Sequence, residues 1–212
     1  KGMKAAVISV SGGGDVSPNT ACRVAVIRKL EQKGFIVTFE EMLVMPANFM
    51  KFSGVTLSRL LLEALSGKVE TAVSRIESGI ISRSRPLIFD RLISAVAIAE
   101  QRGAISFGRS IAVTGDCISC GLCARNCPTD NISMVSGKPV FGNGCNLCMG
   151  CIYGCPSKAL KPQMMKFAVI KEGFDLEAVE KTELPSDADI KELTKGLIWK
   201  GVRKYLTAES KK

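Results

Sequence analysis

Eight cysteines crowd into residues 117–155 of a 212-residue chain that holds nine in all. They fall in two runs, "CISCGLCARNCP" (Cys117, Cys120, Cys123, Cys127, Pro128) and "CNLCMGCIYGCP" (Cys145, Cys148, Cys151, Cys155, Pro156). Each run reads C-x2-C-x2-C-x3-C-P, and the second repeats the first 28 residues later. Thiolates are soft metal ligands, so cysteines this dense point to metal or cluster binding before disulfide bonding. Zinc uses C-x2-C pairs, but with four ligands per ion it leaves the third cysteine of each run unexplained. Disulfides suit a small secreted domain, whereas the rest of this chain reads as ordinary helical and α/β sequence.

Three thiolates at two-residue gaps can wrap one corner of an iron–sulfur cube. A fourth after a longer gap points away from it, and the repeated run has the spacing of bacterial two-cluster ferredoxins, where that fourth cysteine serves the other cube. The expected ligand sets are Cys117, Cys120, Cys123 and Cys155 for one [4Fe–4S] cluster, and Cys145, Cys148, Cys151 and Cys127 for a second. Pro128 and Pro156 turn the chain and remove a donor. Gly121, Gly150 and Gly154 let backbone pass close to inorganic sulfide. "NISMVSGKPVFGNG" (131–144) alternates apolar residues around a turn and predicts a short β-hairpin between the two runs. A module this small is held together by its metal.

The chain contains no histidine, which removes the commonest general base and any histidine triad or metal centre. No acid–base pair accompanies the cysteines, so the module reads as moving electrons, with bond chemistry done elsewhere. Cys22, the ninth cysteine, lies on a predicted helix and reads as a buried apolar thiol.

The elements around this module are legible from composition and periodicity. At 46% hydrophobic the chain can bury a real core, and the most apolar stretch, 87–99, is interrupted by Asp90 and Arg91, which argues against a membrane span. Its opening residues lack the pattern of a secretion signal, and residue 1 is not methionine, so the natural beginning is expected to lie upstream. The net charge of +9 lies mostly outside the cysteine region, where 111–160 hold three Lys/Arg against two Asp/Glu. That balance favours an acidic redox partner; without basic runs interleaved with aromatics, nucleic acid is not expected.

"AAVISV" (5–10) reads as a strand leading into Gly12, Gly13 and Gly14. A helix is expected from Ser17 as N-cap and Pro18 to a cap at Gly34, with Val24, Ile27 and Leu30 on one face, followed by a strand over 35–44 that "MPANF" ends. Strand, loop, helix and strand imply a parallel pair. Gly12 and Gly14 with Glu40 or Glu41 resemble part of a dinucleotide fingerprint, but Ser17 stands where the third glycine belongs and no third parallel strand is expected after residue 50. No G-K-[ST] follows the loop, so a P-loop is excluded. Amphipathic helices are expected over 56–80, with Val69, Ala72, Val73 and Ile76 on one face, and over 89–101. A last amphipathic helix over 189–206 is expected to use Ile190, Leu193, Leu197, Ile198 and Val202, with Trp199 and Tyr205 as packing or partner-facing residues instead of electron relays.

Taken together, "VISVSGGG", "VMPANF", the intervening helices and the two cysteine runs resemble bacterial and archaeal ferredoxins fused behind a flavodoxin-like domain. The resemblance implies α/β plus α+β architecture: a partial flavodoxin-like parallel sheet, linked by helices to a bacterial-type 2[4Fe–4S] ferredoxin module. Only the last two strands of a 2-1-3-4-5 sheet would be present, completed by preceding residues or by another chain. The resemblance places Ser11, Gly12, Gly13 and Gly14 beside the isoalloxazine of FMN, although the family's Ser/Thr- and Gly-rich phosphate loop has no counterpart here. The expected divisions are 1–54 for the flavodoxin-like part, 55–110 for a helical connector, 111–162 for the ferredoxin domain and 163–212 for an extension with an amphipathic helix. The implied function is electron transfer in an anaerobic cytoplasm, coupled to a flavin. The alternatives are a flavin-free electron-input subunit of a larger oxidoreductase, and a non-redox interaction protein with structural clusters.

Overall fold

The computed structural model describes residues 2–49, 53–95, 97–171 and 173–208. In chain order the first elements are β1 (Lys4–Ser11), α1 (Val24–Gln32), β2 (Ile36–Val44), α2 (Val55–Glu77), α3 (Ile88–Ala95) and α4 (Ala97–Arg109). The cysteine region adds β3 (Ile111–Val113), α5 (Leu122–Arg125), β4 (Ile132–Val135), β5 (Lys138–Phe141), α6 (Gly150–Tyr153) and β6 (Leu160–Pro162). The chain ends with α7 (Leu176–Glu180), α8 (Ile190–Leu193) and α9 (Lys200–Thr207). They form two compact units, one of Lys1–Ala47, Ser53–Ala95 and Leu176–Lys212, the other of Asn48–Phe52 and Val96–Asp175. These units do not follow the expected division into connector and extension. α2 packs on β2 and α9 instead of bridging, and the chain from Leu176 returns to the first unit.

In the first unit β1 and β2 pair in parallel from Lys4↔Ile36 to Ser11↔Val44. Val7, Val37 and Ile27 of α1 close one small core, with Leu30 packed against it. Val44, Leu57, Leu61 and Val202 form another, with Trp199 and Tyr205 packed against it as expected. Burying Leu57 and Leu61 contributes roughly 2 kcal/mol each. Among the described residues this sheet keeps two strands, as expected; Ser82 adds only an isolated parallel bridge to Phe39, with Glu40 N–H donating to Ser82 O at 2.8 Å and Ser82 N–H to Thr38 O at 2.9 Å.

Helix α1 starts later than the sequence suggests, at Val24 after a 3-10 turn over Asn19–Ala21. Ser17 does not cap it, because its hydroxyl donates to Asp90 Oδ1 at 2.7 Å, and Thr20 Oγ1 bonds the other carboxylate oxygen. The expected stop at Gly34 holds, with φ +88°, Gly34 N–H on Glu31 O and Phe35 N–H on Leu30 O. Cys22 is exposed, not buried; it is the neighbouring Arg23 that turns inward.

Arg23 is 2% exposed and meets Glu40 Oε2 and Asp15 Oδ2 at 3.1 Å each. Glu40 also accepts from Arg83 Nε at 3.1 Å, Ser84 N–H at 2.9 Å and Ser84 Oγ at 3.0 Å. Burial raises the Glu40 carboxyl, but these donors outweigh it and hold its pKa below the ordinary value. Glu40 is thus committed to this internal pair and does not serve as a ribose-binding acid.

The tail is not one helix. Gly196, at φ +95°, separates α8 from a 3-10 turn over Leu197–Trp199 that leads into α9. Buried Thr194 donates to Ile190 O at 2.5 Å and accepts from Arg203 Nε at 3.1 Å, which folds the chain back on itself. Leu197 and Ile198 are consequently exposed, at 91% and 60%. On α2, Ala72 is buried but Val69 and Val73 are exposed, and the buried stripe runs instead through Leu57, Ser58 and Leu61. The helix expected over 89–101 is observed as α3 and α4, with Val96 outside the described residues.

In the second unit β4 and β5 form the expected hairpin, from Ile132↔Phe141 to Val135↔Lys138. Its two-residue turn, Ser136 and Gly137, has both φ angles positive, the type I′ geometry that matches strand twist. β3 pairs antiparallel with β6. Phe107 of α4, Ile111, Met149, Leu160 and Ala168 make the core, with Phe49 and Tyr153 packed against it.

Candidate metal centre

The two cysteine runs fold alike because the same backbone turns recur. Ser119 and Leu147 share positive φ (57° and 62°), as do Gly121 and Met149 (71° and 62°) and Asp130 and Lys158 (49° and 50°). Each pair is 28 residues apart. Five of the six are not glycine, so each costs on the order of 1 kcal/mol, a strain that clusters where function requires it. Such turns aim successive N–H groups into one concavity, where they favour negative charge. Gly121 and Met149 also start the single-turn helices α5 and α6, which carry Cys123 and Cys151.

The eight cysteines line two cavities. One is lined by Cys117, Cys120, Cys123 and Cys155. The other is lined by Cys127, Cys145, Cys148 and Cys151. Each therefore holds three cysteines of one run and the fourth of the other. Met134, Pro139 and Leu160 wall the first cavity. Phe107, Ile132 and Met149 wall the second.

The fourth cysteines have matching surroundings. Cys127 Sγ accepts the Asn131 N–H at 3.3 Å and lies 3.6 Å from the Thr129 hydroxyl. Cys155 Sγ accepts the Ala159 N–H at 3.3 Å and lies 3.7 Å from the Ser157 hydroxyl. Burial raises both thiols, yet these hydrogen bonds outweigh it and leave each below the ordinary thiol pKa. Burial lifts Cys123 and Cys145, and pushes Cys151 up to about 12, reinforced by neighbouring cysteines. The four thiols gathered in one cavity do not readily ionise together unless a positive metal centre compensates them.

These donor sets fit a polynuclear cluster. Among the described residues no three of Cys, Asp and Glu converge as they must around a single ion, where zinc–sulfur bonds are about 2.3 Å. None of the nine cysteines is bridged to another. Iron bound there would supply one-electron redox chemistry. The chain's part is to hold the thiolates, exclude water with apolar walls and aim N–H groups at sulfur.

Several supporting residues escaped the sequence reading. Gly108 lies so close to the cysteine loop that an added Cβ would stand 2.5 Å from Cys145 Cβ. A glycine inside an otherwise regular helix was the available signal. Asn131 is buried; its carbonyl accepts Gly142 N–H at 2.8 Å and its Oδ1 accepts Gly144 N–H. Asn48 Nδ2 donates to Cys148 O at 3.0 Å and is itself fixed by Tyr153, whose hydroxyl donates to Asn48 O at 2.9 Å. Nothing local to Asn48 announces that role, a hundred residues from its partner.

The Ser11–Gly14 loop holds itself. Ser11 Oγ accepts from Gly13 N–H at 3.0 Å and Asn19 Nδ2 at 3.3 Å, and Asn19 also donates to Gly14 O at 3.1 Å. A Cβ on Gly12 would stand 2.8 Å from Ala47 Cβ, and one on Gly14, at φ +80°, 2.7 Å from the Gly201 carbonyl carbon. Close chain packing therefore accounts for these glycines. Ser11, Gly12 and Gly13 stay partly exposed, while Gly14 is buried.

Residues 112–133 match the family of 4Fe-4S binding domains, which spans the first cysteine run. They form a ferredoxin-type domain, and this indicates a [4Fe–4S] cluster and iron–sulfur electron transfer in the chain. No curated protein and no solved structure matches the chain. No helix among the described residues is long and apolar enough to cross a membrane.

Proposed function

We propose that this chain carries single electrons through two [4Fe–4S] clusters. Cluster I is held by Cys117, Cys120, Cys123 and Cys155, and cluster II by Cys145, Cys148, Cys151 and Cys127. The observation that carries this reading is the content of the two cavities: each gathers three cysteines of one run and the fourth of the other. Two cubes in so small a unit lie within hopping distance, so an electron entering at one leaves by the other. The chain works as an electron carrier or electron-input component. Cys120 and Cys148 are exposed, so bound cubes would meet dissolved oxygen, and an oxygen-poor cytoplasm is the setting that suits them.

Anaerobic reconstitution of the full chain tests this. The expected product is brown, holds about eight irons per chain, and bleaches reversibly with dithionite. Cys155→Ser should impair the cluster of the first run and Cys127→Ser that of the second, resolved by electron paramagnetic resonance. About four irons in the wild type would remove the second cluster. Full loading without reduction would leave only a structural role.

A further inference from the structure

We propose that cluster I is the docking port of the second unit, and that it receives an acidic redox protein. This rests on the two-cluster reading above and goes beyond it by naming which end faces the partner and what chemistry the partner carries.

The repeat is symmetric in backbone but not in what surrounds it. The Cys148 carbonyl is covered by Asn48, which comes from a distant segment, and Cys145 is backed by Gly108 of α4. The corresponding carbonyl in the first run, Cys120 O, accepts Arg125 Nη1 at 2.9 Å, and Cys117 O accepts Lys138 Nζ at 3.2 Å. The second run is thus held by other parts of the fold, and the first by two exposed cations of the module itself.

Charge is sorted the same way. Residues 111–160 contain three basic side chains, Arg125, Lys138 and Lys158, and two acidic ones, Asp116 and Asp130. Arg125 and Lys138 reach the carbonyls of two cysteines that line the cluster I cavity, and Lys158 lies in the chain between Ser157 and Ala159, which line it too. Asp130 lies in the chain between Thr129 and Asn131, which line the other cavity. Apolar side chains are exposed among the cations: Ile118 at 65%, Val135 at 54% and Val140 at 49%. The hairpin turn lies against the same loop, since a Cβ on Gly137 would stand 3.1 Å from Ser119 Oγ. An apolar centre with a basic rim, directly over a redox group, fits a partner with an acidic rim around its own redox centre.

The test uses the anaerobic holoprotein with an acidic flavodoxin as probe, and reads affinity by calorimetry at low and high ionic strength. Lys158→Glu and, separately, Lys138→Gln should each weaken binding about three- to tenfold at low salt, with the difference shrinking as salt screens it. Lys171→Glu, which makes a charge reversal on the same unit, should stay within about twofold of wild type. Equal weakening by Lys171→Glu, indifference to Lys158→Glu, or no binding by wild type would overturn the port. Iron content and dithionite bleaching are measured on each sample first. If the clusters do not load or reduce, the carrier reading fails and the port falls with it; if they do and affinity ignores Lys158, the port alone falls.

Discussion

Gly108 of α4 stands directly against Cys145: a methyl added to the glycine would come within 2.5 Å of the cysteine Cβ. Helix position and cysteine-loop position are thereby locked to each other. Gly108→Ala would have to push Cys145 out of its cavity or tilt α4. About half the iron should be lost, with the electron paramagnetic resonance signal of cluster II affected before that of cluster I. Iron and sulfide analysis of the anaerobically reconstituted variant checks this, and full occupancy would show that the loop yields.

The hydroxyls beside the fourth cysteines should tune reduction potentials. Thr129 and Ser157 lie 3.6 and 3.7 Å from Cys127 and Cys155 Sγ, where they stabilise the more negative, reduced state. Thr129→Val and Ser157→Ala should each lower one potential, by on the order of 20–40 mV, equivalent to about 0.5–1 kcal/mol for one electron. Protein-film voltammetry reads the shift. A rise, or no change in either variant, would mean that the hydroxyls point elsewhere.

Gly201→Ala should destabilise the first unit. Its added methyl would collide with the Gly13 carbonyl oxygen and meet Val16, where the glycine loop lies on α9. Overpacking of this kind costs about 1–3 kcal/mol. Urea unfolding followed by far-ultraviolet circular dichroism should show the loss while iron content stays at the wild-type level.

The Arg23–Glu40 pair gives the first unit a defined acid sensitivity. The donors around Glu40 hold its pKa below the ordinary carboxylate value, so its stabilising contribution is complete above the unfolded value and disappears as pH falls through the folded one. Glu40→Gln should cost about 3 kcal/mol at neutral pH, since it leaves the buried Arg23 with Asp15 as its one carboxylate partner besides the Ser9 and Ser84 hydroxyls. The gap between wild type and variant should be flat from pH 8 to 6 and narrow only below about 4.5. Urea unfolding across that range decides it; a gap that changes near neutrality would point to a different titrating group.

Iron removal should unfold one unit and spare the other. The cysteines contribute directly to the small core around Phe107 and Met149, whereas the β1–β2 unit has its own cores. Hydrogen exchange after chelation should show protection lost over 97–171 and kept over 4–11 and 36–44. Equal loss in both regions would make the fold a single cooperative unit.

Much of this protein is local and therefore readable in its sequence. Cluster chemistry follows from cysteine spacing, because a few bond lengths decide which thiolates can share a centre. The 131–144 hairpin and the Gly34 helix stop follow from residues that suit a particular turn. The tertiary structure decided whatever depends on residues brought together from a distance. It turned Arg23 inward and Cys22 outward, because Glu40 and Asp15 offered a buried cation its partners. It set the Ser11–Gly14 glycines against Ala47 and Gly201, where no reading of the loop alone could place a neighbour. It broke the 189–206 helix at Gly196, returned that tail to the first unit, and brought Asn48 to the second cysteine run. Periodicity reports which face of an element is apolar; only packing determines which apolar face finds a cover, and which polar group finds a partner.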